Sequence, residues 1–238
     1  PFFLLMLGKI TRAAAAKGYD LLVSFQQLSE DWHLRYEATN RADGIILLGY
    51  GDYVTYGERL RALDAAGAHY VIWGPTIDDQ PGHSVGCDNH FGTRIVTEHL
   101  IRTGRQRIAF IGESSEHYPE FKLRHDGYRD ALAAADLVAD PQLQCDAETR
   151  EASGFAAAQT LLANGKAFDG VVAASDLIAI GAIKALRQAG LRVPEDVGVV
   201  GFDDIPAASY VTPSLTTVHQ DTDLAGALLV ERVLQLID

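Results

Sequence analysis

Gly170-Val171-Val172-Ala173-Ala174-Ser175-Asp176 opens the stretch that decides the fold, and Val197-Gly198-Val199-Val200-Gly201-Phe202-Asp203-Asp204 closes it. Each is a short apolar, valine-rich run ending at small polar or acidic residues, the pattern of a strand followed by a turn. Between them residues 176–189 carry the composition of a helix. Strand, helix and strand at this spacing require a crossover connection, and so a parallel pairing rather than a hairpin.

Outward from that unit the same cycle repeats. Towards the N-terminus come a strand over Arg107-Ile108-Ala109-Phe110-Ile111-Gly112, a helix from Phe91 to Thr103, a strand at Tyr70-Val71-Ile72-Trp73 and a helix from Arg59 to Ala66. Gly44-Ile45-Ile46-Leu47-Leu48-Gly49 is almost continuously apolar and reads as a strand covered on both faces. A polar, charged stretch up to Asp43 can supply a helix, and Tyr19-Asp20-Leu21-Leu22-Val23-Ser24-Phe25 is a β-prone run. The alanine-rich segment from Leu5 to Lys17 is a helix stopped by Gly18. Further helices are expected over 122–135, 152–164 and about 221–237. The class is α/β, and five or six strands can form one wide sheet or two narrow ones. Because a helix comes first, one strand of the first sheet is expected upstream of residue 1.

With 238 residues, 47% of them hydrophobic, the chain can bury one large core or two smaller ones. Asp and Glu number 32 against 20 Lys and Arg, a formal charge of −12, and the basic residues form no block, so this chain lacks the cation density that a duplex demands. Cys87 and Cys145 read as small apolar fillers rather than a disulfide framework. A reducing, cytoplasmic setting fits, with no membrane: no basic-then-apolar leader and no 18-residue apolar run is present. The start at Pro1 allows for an upstream segment.

Parallel strands deliver their loops to one edge, where open sheets bind ligands. That rule selects Phe202-Asp203-Asp204, Ser175-Asp176, Trp73-Gly74-Pro75 and Glu113-Ser114-Ser115. Asp203 can accept hydrogen bonds from vicinal hydroxyls, or one of the two aspartates can simply cap the turn into Ile205-Pro206. One of Ser175 and Asp176 caps the helix behind it, with ligand contact open for either. Arg124 offers a rigid fork of donors to hydroxyls or a carboxylate, or else is a solvated helix residue. Trp73 can stack on the apolar face of a pyranose or pack in the core. No nucleophile elbow, no dinucleotide glycine fingerprint and no Walker lysine loop is present, and His83 and His90 near Asp88 lack a matching ligand set, so no enzyme, no cofactor and no metal is expected.

Gly190-Leu191-Arg192-Val193-Pro194-Glu195-Asp196-Val197, Gly201-Phe202-Asp203-Asp204-Ile205-Pro206 and Pro213-Ser214-Leu215-Thr216-Thr217-Val218-His219-Gln220 together closely resemble the lactose-repressor/galactose-repressor (LacI/GalR) family. Pro1-Phe2-Phe3, Asp43-Gly44-Ile45-Ile46-Leu47, Asp88-Asn89 with Gly92, Gly104 to Gly112, and Arg124 with Gly127-Tyr128 match in order over nearly the whole chain. The resemblance implies two Rossmann-like lobes with parallel sheets flanked by helices, the periplasmic-binding-protein-like type I fold. Residues 1–88 and 219–238 would form the N-terminal lobe and 89–218 the C-terminal lobe, and the helix-turn-helix head of the family is absent from this chain.

The resemblance also implies function. A small effector, a mono- or disaccharide or sugar derivative, would bind in the cleft between the lobes and fix their orientation. A homodimer would pass that change to operator DNA through the missing head. Asp203 would grip sugar hydroxyls and Arg124 would line the pocket, with Ser175, Asp176, Phe202 and Trp73 around them. Ser175 stands where the family usually has asparagine, and Trp73-Gly74-Pro75 where many members carry arginine or aspartate. A transport-associated sugar-binding protein of the same fold is the alternative.

Overall fold

The computed structural model describes residues 2–24, 41–49, 52–77 and 80–237. In chain order its elements are α1 (Phe2–Ala16), β1 (Ile45–Leu48), α2 (Tyr53–Ala65), β2 (Tyr70–Trp73), β3 (His83–Val85), α3 (Asn89–Arg102), β4 (Ile108–Ile111) and α4 (Pro119–Ala134). After a single 3-10 turn at Pro141–Leu143 follow β5 (Gln144–Cys145), α5 (Glu151–Ala163), β6 (Gly170–Ala173), α6 (Asp176–Gln188), β7 (Gly198–Asp203), the short α7 (Ala207–Tyr210), β8 (Thr216–His219) and α8 (Thr222–Ile237). The chain divides into two compact units, one made of Pro1–Cys87 and Asp221–Asp238, the other of Asp88–Gln220.

The contiguous unit holds a five-stranded sheet in the order β5-β4-β6-β7-β8, every pairing parallel. Its central strands are the apolar runs of the sequence: all residues of β4, β6 and β7 are buried. Helices cover both faces, as a strand apolar on each side requires. Two of them approach closely because glycines face each other: a side-chain carbon on Gly154 would lie 2.2 Å from the Ile178 carbonyl oxygen, and one on Gly181 2.1 Å from that of Glu151. Helix α6 starts where Ser175, extended and at the cap position, accepts a hydrogen bond from the Ile178 amide.

The discontinuous unit holds a parallel three-stranded sheet, β1-β2-β3. One face packs Met6, Ile10 and Ala14 of α1 and Ala225, Leu229, Val230 and Val233 of α8 against Val71. The other packs Tyr56, Leu60 and Leu63 of α2 against Leu47, Tyr70 and Ile72.

One expectation fails in this unit. Tyr19–Ser24 forms no strand, and Leu22 and Val23 are exposed; Phe25 and the helix expected between it and Asp43 lie largely outside the described residues. The segment lines a cavity of about 820 Å³ together with β1, α1 and α8, and β-prone side chains make a strand only where a ladder partner exists. Strand β1 is packed on both faces, Ile46 and Leu48 on the α1 and α8 side and Ile45 and Leu47 on the α2 side, although only Leu47 of its four residues is fully buried. Three short strands, β3, β5 and β8, were not among those expected.

Candidate functional site

The carboxyl ends of β6, β7 and β8 and the start of α3 come together around one buried ion pair. Arg124 leaves the middle of α4 and is 6% exposed. Its Nε donates to Asn89 Oδ1 at 2.8 Å, and its Nη1 donates to the Ala174 carbonyl at 2.5 Å and lies 3.5 Å from Asp203 Oδ1. The guanidinium carbon stands 3.7 Å from the centre of the Phe202 ring and 5.1 Å from that of Phe121. A planar cation between aromatic faces, with its donors directed at three fixed oxygens, has one orientation available.

Asp203 ends β7 at a backbone φ of 118°, and Asp204 follows at 54°. Two successive non-glycine residues in this region carry a conformational cost that their surroundings must offset. Asp203 is buried, and Gln220 Nε2 donates to the same Oδ1 that faces Arg124, at 2.7 Å. Burial pushes its carboxyl up to about 6, against the charge of Arg124 and the Gln220 bond, which hold it down. Asp204 turns the other way: it is exposed and meets His219 Nδ1 at 2.8 Å.

Of the residues singled out from sequence, Arg124, Phe202 and Asp203 touch one another. Ser175 follows the carbonyl that Arg124 holds and spends its hydroxyl on the α6 cap. Asp176 is fully buried, and both its oxygens are engaged: Oδ2 accepts from the Ile205 amide at 2.8 Å and Oδ1 from the Thr217 hydroxyl at 2.5 Å. Trp73 belongs to the other unit, at the end of β2, half-buried with its ring 5.9 Å from that of Phe2. Sequence reasoning missed Asn89 and Gln220 as members of the site. The only cue was position: each sits at an element end beside an Asp or His, Asn89 just after the Asp88 that caps α3 through the Phe91 amide. Among the described residues no cluster of His, Cys, Asp and Glu is arranged to hold a metal, and no helix is long and apolar enough to cross a membrane.

Comparison with known proteins places this geometry. The model of the periplasmic binding protein-like domain matches residues 97–238. The HTH-type transcriptional regulator AscG of Escherichia coli is 33% identical over 240 residues, covering all of this chain and 70% of that protein. Among solved structures, a regulatory protein of the LacI family from Chloroflexus aggregans aligns with all of this chain and 85% of its own, with a TM-score of 0.89 and 26% identity.

The chain belongs to the LacI family of transcriptional regulators.

Within that family the HTH-type transcriptional regulator CelR of Thermobifida fusca is 38% identical over 205 residues, 83% of this chain but only 59% of that protein. This LacI-family chain therefore spans about three-fifths of CelR and seven-tenths of AscG. These relatives are regulators rather than transport proteins or enzymes, which sets aside the transport-associated alternative.

Proposed function

We propose that this chain is the effector-sensing core of a LacI-family regulator, and that its effector is an uncharged, polyhydroxylated molecule of mono- or disaccharide class held at Asp203 and Arg124. The observation that carries this reading is the buried Arg124–Asp203 pair at the strand ends. With Gln220 and Arg124 both on Oδ1, the carboxylate keeps Oδ2 for ligand hydroxyls. The positive charge of Arg124 is already matched by Asp203, and its Nε and Nη1 donors are spent on protein oxygens. A phosphate or carboxylate ligand would have to compete for them, whereas a neutral polyol does not. A solved complex of a transcriptional regulator CelR with cellobiose, 33% identical with a TM-score of 0.86, supports a sugar.

Phe202 forms the floor beneath Arg124, and Ser175 caps the helix that follows the carbonyl Arg124 holds. In the longer protein such a core acts as a homodimer on operator DNA through a separate DNA-binding head. Control then requires the effector to bind one arrangement of the protein more tightly than another.

A thermal-shift screen of neutral mono- and disaccharides, their phosphates and nucleobases tests the reading, since a specific ligand raises the melting temperature of the state it binds. A neutral sugar is expected to score above its own phosphate. Asp203→Ala is expected to abolish its calorimetric binding signal in a chain that stays folded. Near-normal affinity in that variant removes Asp203 from the site, and a response confined to phosphates or nucleobases removes the neutral sugar.

A further inference from the structure

Asp176 is an ionisable side chain with no solvent contact, and the ligand reading above gives it no chemical task. Its carboxylate reaches three pieces of chain. It begins α6 directly after the Ser175 cap, accepts from the Ile205 amide just beyond the Asp203-Asp204 turn, and accepts from Thr217 in the middle of β8. The backbone makes room for it: a side-chain carbon on Gly201 would lie 2.4 Å from Asp176 Oδ1, so β7 passes the carboxylate only as glycine. The turn that it grips is the one with two consecutive residues at positive φ, a conformation that relaxes unless something holds it.

We propose that Asp176 is a positioning residue for the ligand site, clamping the Asp203-Asp204-Ile205 turn so that the Asp203 carboxylate faces Arg124 and Gln220. Oδ2 fixes the residue after the turn, Oδ1 fixes the neighbouring strand, and Asp203 is the only side chain of the turn aimed at the guanidinium. The inference rests on the placement of Asp203 in the site, but its test needs no ligand, so failure of one is distinguishable from failure of the other.

The charged groups around Asp176 are Asp203 and Asp204, with Arg124 on the far side of Asp203. A conservative and a truncating variant therefore separate the clamp from the mere presence of a buried group. Asp176→Asn keeps both contacts, since its amide oxygen accepts from Ile205 and its amide nitrogen donates to the Thr217 hydroxyl; it removes only the titration of Asp176. Asp176→Ser fits the space but cannot span to Ile205. The titration of Asp203 is read by carboxyl carbon NMR on aspartate-labelled chain, assigned with Asp203→Asn. In Asp176→Asn the Asp203 midpoint is expected to stay in place, because the Asp176 carboxyl, raised to about 7, still holds its proton where Asp203, raised to about 6, titrates. In Asp176→Ser it is expected to rise by about one pH unit, as the turn relaxes and the carboxylate loses Arg124 and Gln220. An Asp203 midpoint that is the same in both variants overturns the proposal and leaves Asp176 as a bystander to the turn. If Asp176→Ser does not fold, the Ile205 amide of the unaltered chain decides: hydrogen exchange as slow as in β6 and β7 supports the clamp, and exchange as fast as in an open loop overturns it.

Discussion

The guanidinium carbon of Arg124 sits 3.7 Å from the centre of the Phe202 ring, and Phe202 is the residue directly before Asp203, the partner of the same cation. One buried charge is thus fixed by two consecutive side chains of β7. Replacing Arg124 with methionine keeps the volume and strands Asp203 as an uncompensated buried carboxylate, a loss of about 3–5 kcal/mol. Because Asp203 can take up a proton instead, the loss should be larger at pH 8 than at pH 5. Urea unfolding of Arg124→Met at the two pH values checks both size and trend.

Phe202 is held from the other side by α3. A side-chain carbon on Gly92 would lie 2.8 Å from Phe202 Cε2 and 3.1 Å from Val218 Cγ1. Gly92→Ala should therefore destabilise by about 1–3 kcal/mol through overpacking. In a Phe202→Leu background the same change should cost less, a coupling that a double-mutant cycle measures. Additive effects would show that α3 yields without disturbing the ring.

Asp176 and Asp203 give the unit an unusual pH response. Burial raises the Asp176 carboxyl to about 7 and that of Asp203 to about 6. Both groups keep protons in the folded chain at pH values where the unfolded chain has lost them, so folding takes up protons. Their contribution to stability is fullest below the ordinary carboxylate range, falls as pH rises from about 4 to 7, and levels off above. Asp176→Asn removes the Asp176 share, so between about pH 4 and pH 8 the unaltered chain should lose about 4 kcal/mol relative to that variant. Denaturant midpoints of the pair across this range provide the measurement, and a constant difference would contradict it.

In the discontinuous unit the contrast between surface charge and core is sharp. Asp223 pairs with Lys9 at 2.6 Å and with Arg12, but it is more than half exposed. Leu229, one and a half turns further along α8, is completely buried against α1. Asp223→Ala should cost less than about 1 kcal/mol, and Leu229→Ala about 2–5 kcal/mol. Melting of the two variants side by side would show the difference.

What could be read from sequence follows from how much each element depends on its own residues. Strands β4 and β6, and β7 up to its closing Asp203, are apolar because helices cover both faces, and such runs announce themselves. Strand β8 is Thr-Thr-Val-His with exposed ends, and β5 is two residues long; each exists because a neighbour offers a ladder, which no local pattern records. Tyr19–Ser24 is the converse, strand-like in composition without a ladder. At the site, Asp203 and Arg124 stood out by charge and position. Asn89 and Gln220 did not, since a neutral amide looks like any capping or surface residue until its partner is seen.

The two units differ in how the chain supplies them. Asp88–Gln220 is one uninterrupted piece, while its companion needs residues 221–238 to finish the face of α1. During synthesis that piece can close as soon as Gln220 emerges from the ribosome, but Met6, Ile10 and Ala14 must wait for α8 to complete their packing. Emergence of α8 is thus a late checkpoint of maturation, and a nascent chain stalled before it presents a sticky apolar surface to chaperones and proteases.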